Sequence, residues 1–264
     1  MHDETLQKAW RLRTRIYLTG KLWVEAGDSF IDEPMFPSRQ GRVAFAYLAI
    51  EHDRPIPREE LADAIWLEDL PPSWEGALSA IVSKLRTLLK HLGPTAPEIT
   101  IAAGSHQLRA ASAPWIDVEV AESSIDEAEG LLRTGQPSRA WGPANVAAAI
   151  ASRPFLPREE LGWVEKRRRV LQEIHLRSLE CLSEIALQNG ELPLAARIAA
   201  EAVEREPFRE AGYRRLMRAH DAMGNRAEAL RVYDLCRRLL AEELGVRPSS
   251  ETEALYLALI KGSE

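Results

Sequence analysis

Long apolar runs are missing from this 264-residue chain: the longest, Val43 to Ile50, has eight residues, against the roughly 20 that a membrane-spanning helix requires. No membrane span is read, and no membrane partner is expected. The opening stretch MHDETLQKAWRLRTR is charged throughout and has no apolar centre, so a secretory signal is not read there and a cytoplasmic location is expected. Cysteine is scarce too. Cys181 and Cys236 both fall within helical patterns, which excludes a disulfide framework and predicts two buried small residues in a reducing compartment. The glycine loop that cradles phosphates, a His-Glu-x-x-His pair and a nucleophile elbow do not occur. The histidines, His2, His52, His91, His106, His175 and His220, are dispersed without metal-ligand spacing. Neither an enzyme, a metal site nor a cofactor is expected. Positive charge is not in excess either: 34 Lys and Arg stand against 40 Asp and Glu, a net charge of −6. Divided after Ser112, the first part carries 13 basic and 15 acidic residues, net −2, and the remainder 21 and 25, net −4. Any contact with nucleic acid therefore has to come from a local patch.

What is present is ordinary globular material, 45% hydrophobic and 28% charged, enough for two modest domains with real cores. From Arg15 to Phe36 short apolar runs broken by Gly20, Gly27 and Asp28 read as antiparallel strands. Ser38 caps a first helix with Val43, Ala46, Tyr47 and Ile50 at helical spacing. Pro55 and Pro57 stop it, and REELADAIWLE restarts as a short second helix with acids in its first turn. A third helix from Trp74 repeats Leu78, Ile81, Val82, Leu85, Leu88, Leu89 and Leu92 at i, i+3, i+4 and i+7, and Gly93-Pro94 ends it. EITIAAGSHQLRAA follows as a hairpin, with Gly104-Ser105 suited to a type II′ turn. Strands, three helices and a hairpin make a winged helix-turn-helix over residues 15–112, whose third helix can enter a major groove beside a β wing.

Residues 113–264 read as helical repeats. An offset of 34 residues brings Gly190 onto Gly224, Ala195 onto Ala229, Ala199 onto Tyr233 and Ala202 onto Cys236, the period of a tetratricopeptide. Gly135 with Ala140 looks like an earlier copy, set apart by an extra 21 residues. The fold class is thus mainly α with a small β component.

Four segments, WLEDLPPSWEGALSAIVSKLRTLL, ITIAAGSHQLRAA, GWVEKRRRVLQE and EALRVYDLCRRLLAEELGVRPS, resemble the Streptomyces antibiotic regulatory protein family. That family joins a winged helix to a bacterial transcriptional activator domain. The resemblance runs from about Arg15 to Leu259 and is most specific in LLAEELGVRPS. It implies a transcriptional activator that binds direct repeats of double-stranded DNA near a promoter and helps recruit RNA polymerase, with two protomers side by side as a homodimer.

The apolar stripe of the third helix centres on Val82 and Leu85, so Gly76, Ala80, Ser83, Thr87 and Lys90 face away, flanked by Ser79, Lys84 and Arg86. Ser79, Ser83, Lys84, Arg86, Thr87 and Lys90 are the expected DNA-facing residues of this helix. Lys84 and Arg86 also match basic positions of the VSRLRR-like pattern of the family. His106 and Arg109 of the wing, and Arg39 and Arg42 at the start of the first helix, complete the candidate set. Glu75 departs from the basic residue that the resemblance implies near the helix start, and Gly76, Ala80 and Ser83 form a face of small residues. These favour the rival reading, a protein-interaction adaptor whose winged helix no longer binds DNA. The run Lys166-Arg167-Arg168-Arg169 follows Glu159, Glu160 and Glu165 and reads as a charge-laced helix face. Of Trp10, Trp23, Trp66, Trp74, Trp115, Trp141 and Trp163, no pair has the spacing of a base-stacking platform, and Trp66 and Trp163 read as packing residues.

Overall fold

The computed structural model describes residues 13–67 and 69–261; His2, Trp10 and most of the charged opening stretch lie outside them. The chain divides into two compact units, one formed by residues up to Val120 with Arg153–Leu171, the other by Ala121–Ser152 with Gln172 onward. Among the described residues no helix is long and apolar enough to cross a membrane.

The first unit opens with strands β1 (Arg15–Tyr17), β2 (Trp23–Ala26) and β3 (Ser29–Asp32), then helix α1 (Arg39–Ile50), strand β4 (Ile56–Pro57), and helices α2 (Arg58–Trp66) and α3 (Trp74–Leu89). Strands β5 (Glu98–Ala102), β6 (Ser105–Arg109) and β7 (Trp115–Ile116) lead into α4 (Asp117–Arg133). One sheet has the order β3-β2-β1-β7, with β7 parallel to β1 and the rest antiparallel; the other has the order β4-β6-β5. Alternation places Ile16 opposite Val24, and both are wholly buried. Ser38 caps α1 as its sequence predicts, its Oγ accepting the Gly41 N–H at 3.1 Å. Asp117 joins the strands to α4: its buried carboxylate accepts the N–H groups of Leu18, Thr19 and Val118 and the Thr19 hydroxyl. Burial pushes its pKa up against the pull of those donors.

The wing corrects one expectation. Its turn is centred on Ala103-Gly104, not Gly104-Ser105, and both residues have positive φ, 48° and 76°, so it is of the I′ kind rather than II′. The cause is register. Ile99 and Leu108 must both reach the core, at 1% and 3% exposure, and pairing them directly places Ala102 opposite Ser105 with two residues between.

The second unit contains the rest of α4, then α5 (Pro137–Ala151), the later turns of α6 (Gly162–Gln188), α7 (Leu192–Arg205), α8 (Glu210–Ala222), α9 (Arg226–Leu244) and α10 (Ser250–Lys261). Its repeat is visible in hydrogen bonds. Gly135, Gly190 and Gly224 have φ of 69°, 76° and 76°. At each, the glycine N–H donates three residues back and the next N–H five residues back, to Leu132 and Leu131, Leu187 and Ala186, and Asp221 and His220. These are three copies of one left-handed helix stop. Ala140, Ala195 and Ala229 follow at the same interval and are all fully buried, where a larger side chain would hold the crossing helices apart. Between the first two glycines the spacing is 55 residues rather than 34, and the excess contains Arg153–Leu171, the stretch that packs with the first unit. The architecture is a winged helix-turn-helix followed by tetratricopeptide-like helical repeats.

Candidate nucleic-acid interface

Helix α3 buries Leu78, Val82, Leu85 and Leu89, positions one or two turns apart that form a single stripe. At about 1.5–3 kcal/mol for each fully buried leucine or valine, that stripe fixes how the helix is rotated. Gly76, Ser79, Ala80, Ser83, Lys84, Arg86, Thr87 and Lys90 are consequently exposed. Thr87 turns its hydroxyl back onto the Ser83 carbonyl at 3.1 Å. Among the described residues, Lys84, Arg86 and Lys90 take part in no ion pair.

The other predicted residues sit differently. Arg39 is paired at 2.7 Å with Glu159, whose side chain is only 4% exposed, and Arg42 lies 3.8 Å from Glu33. Both begin α1 with a carboxylate already in place. Arg109 is exposed on β6, opposite Glu98, and donates to Gln107 Oε1 at 3.1 Å. His106 is 7% exposed, pairs with Ile56 and Ile101 across the strands, and its Nδ1 has no hydrogen-bond partner among the described residues. Burial lowers its pKa by disfavouring the imidazolium form. The structure therefore gathers Ser79, Ser83, Lys84, Arg86, Thr87 and Lys90 on one helix face, with Arg109 on the wing, His106 inside the unit, and Arg39 and Arg42 held by acids at α1.

One cation escaped the sequence reading. Arg58, the first residue of α2, donates its backbone N–H to the Gly104 carbonyl at the wing turn, at 3.1 Å. Its Nε donates to Glu59 at 2.8 Å, its Nη2 lies 3.3 Å from Glu75, and the guanidinium carbon stands 5.9 Å from the centroid of the Trp74 ring. A shallow depression of about 310 Å³ lies here, lined by Arg58, Trp74, Glu75, Ser79 and His106 among others. The available signal was its place, directly after Pro57 at the start of the second helix of a helix-turn-helix.

Among the described residues no three His, Cys, Asp or Glu side chains converge as a metal site, and burial pushes the thiols of Cys181 and Cys236 up to about 11, which keeps them protonated and inert.

Residues 116–260 match the bacterial transcriptional activator domain family. The chain belongs to this family. Regulatory protein AfsR of Streptomyces griseus is 28% identical over 227 residues, covering 86% of this chain and 23% of AfsR, and its counterpart from Streptomyces coelicolor is 28% identical over 225 residues, covering 85% and 22%. The chain thus spans about a quarter of the length of these relatives. The solved structure of Mycobacterium tuberculosis EmbR, in complex with a low affinity phosphopeptide, superposes with a TM-score of 0.83 at 20% identity, over 94% of this chain and 65% of that one. At that identity the likeness is one of fold. The family is one of transcriptional activators and not of enzymes, and the resemblance read from the sequence agrees with it.

Proposed function

We propose that the chain is a DNA-binding transcriptional regulator, an activator that docks α3 in the major groove with the wing beside it. The helical repeats of residues 113–264 would then pair protomers on promoter direct repeats or contact RNA polymerase, all in the cytoplasm. One observation carries this reading: the outward face of α3 bears Lys84, Arg86 and Lys90, which among the described residues have no acidic partners, while Arg39 and Arg42 of the same unit have one. An unpaired cation keeps its full charge for a phosphate or a guanine edge, and its release of counterions makes binding salt-dependent.

The test is fluorescence anisotropy of labelled promoter and random duplexes between about 50 and 200 mM salt. Log affinity should fall linearly with log salt, and replacing Lys84 and Arg86 together by alanine should reduce the slope by about two. A flat response from promoter and random DNA alike defeats the proposal. Glu75 and the small side chains of Gly76, Ala80 and Ser83 favour the adaptor reading, in which this face packs on another protein. Binding to DNA that appears only after Glu75→Arg would decide for the adaptor.

A further inference from the structure

We infer that Arg58 is a further DNA-contacting residue and that Glu75 is its intramolecular counter-ion, competing with backbone phosphate for the same guanidinium. The inference rests on the DNA-binding reading above and adds to it a residue and a means of weakening.

Arg58 stands where three elements meet. It begins α2, its N–H is tied to the wing turn through the Gly104 carbonyl, and its side chain reaches Trp74 and Glu75 in the first turn of α3. A duplex seated on α3 with the wing alongside passes over that junction. The guanidinium is held by carboxylates on two sides, Glu59 at 2.8 Å and Glu75 at 3.3 Å. A carboxylate offers the planar pair of oxygens that a phosphate also offers, and arginine takes either through the same fork.

Exposure decides whether this contact can be exchanged. The Arg58 side chain is 48% exposed, Glu59 62% and Glu75 60%. Pairs this open are weak and screened by salt, so they neither lock the fold nor resist a stronger anion. The backbone bond to Gly104 holds the main chain of Arg58 at the junction and the guanidinium carbon stands 5.9 Å from the Trp74 ring centroid, so the side chain can change partner without leaving that place. Ser73, the residue before α3, makes no side-chain cap bond, and among the described residues Arg58 is the partner of the Glu75 carboxylate. Its remaining structural role is a favourable charge near the start of α3, which the test must separate from the pairing with Arg58.

A double-mutant cycle does so. Anisotropy with a labelled random-sequence duplex is measured across a salt series for the unaltered chain, Glu75→Gln, Arg58→Ala and the double variant. Thermal melts confirm that each is folded, and Arg58→Gln takes the place of Arg58→Ala should the latter fail to fold. The expected result is binding about three- to tenfold tighter for Glu75→Gln with a log–log slope steeper by about 0.9, one additional phosphate neutralised. The gain should vanish when Arg58 is absent. A gain of equal size in the Arg58→Ala background overturns the inference, because Glu75 would then act by repelling phosphate directly. No gain from Glu75→Gln, with DNA binding by the unaltered chain intact, overturns it while leaving the DNA-binding reading standing. Absence of binding by every variant removes both.

Discussion

Arg168→Ala tests how the first unit keeps the segment that returns to it. The Arg168 guanidinium donates to three backbone carbonyls, Phe155 at 2.9 Å, Glu159 at 2.9 Å, and Leu156, and pairs with Glu165. Leu156 has φ of 39°, a left-handed conformation that costs a non-glycine residue on the order of 1 kcal/mol or more and persists only where surroundings impose it. Hydrogen bonds from a charged donor contribute about 1.5–3 kcal/mol each. At 23% side-chain exposure water can replace part of that, so a net loss of about 3 kcal/mol is the working value. For a unit of this size about 1 kcal/mol corresponds to roughly 3 °C, which predicts a melting point lower by about 10 °C. Calorimetry gives the shift, and hydrogen exchange should rise through Phe155 to Leu161. Arg168→Lys should lose most of the stability as well, because a single ammonium cannot span three carbonyls. A fall of less than about 2 °C for Arg168→Ala, with exchange unchanged, refutes the reasoning, since it leaves no room for even one of the lost bonds.

Further predictions concern the core, the repeats and a buried imidazole. Leu85→Ala, at a wholly buried position of α3, should cost about 3 kcal/mol in urea unfolding and, if α3 binds DNA as proposed, weaken binding only by loosening the helix. Gly190→Ala, at φ of 76° with open space around it, should destabilise by about 1 kcal/mol through backbone strain alone, while Gly142→Ala inside α5, also unobstructed, should stabilise by up to about 1 kcal/mol. His106 should titrate below the ordinary 6.5 because burial disfavours its cation. The unfolded chain then takes up the proton first, and stability falls as pH drops from above 6.5 toward the lower folded value. Imidazole carbon–proton shifts followed by NMR check the direction, and His106→Gln should flatten that part of the stability–pH curve.

The elements that bury one stripe were legible in the sequence, because burial itself writes the period. Val82 and Leu85 defined the rotation of α3, and the residues opposite them are exposed as that rotation requires. The repeat was legible for a similar reason, since a left-handed helix stop needs glycine and a close helix crossing needs a small residue at a fixed interval after it. What could not be read were contacts set by distant parts of the chain. Glu159 is 120 residues from Arg39, and no local pattern marks the two as partners. His106 alternates correctly for an inward position of β6, but whether a wing histidine faces core or solvent depends on β4 closing over it. Arg58 was hidden for the opposite reason: next to Glu59 and Glu60 it looks like ordinary helix-start charge, and only the fold brings Trp74 and the wing turn to it.

If α3 binds DNA, those contacts would make the acidic balance of the first 112 residues a poor guide to its affinity. An arginine and a carboxylate at 2.7 Å, as in Arg39–Glu159, present a dipole whose field decays quickly, whereas an unpaired lysine presents a full charge felt over a Debye length of about 10 Å at 0.1 M salt. Binding would be governed by which cations are unengaged, not by their number. The consequence is measurable. Lys84→Ala should lower the log–log salt slope by about 0.9, because one phosphate loses its counter-charge. Arg39→Ala should lower it by much less, and its main effect should be on stability, by stranding the nearly buried carboxylate of Glu159. If the two substitutions reduce the slope equally, Arg39 leaves Glu159 for DNA, and internal pairing does not decide which cations reach the duplex.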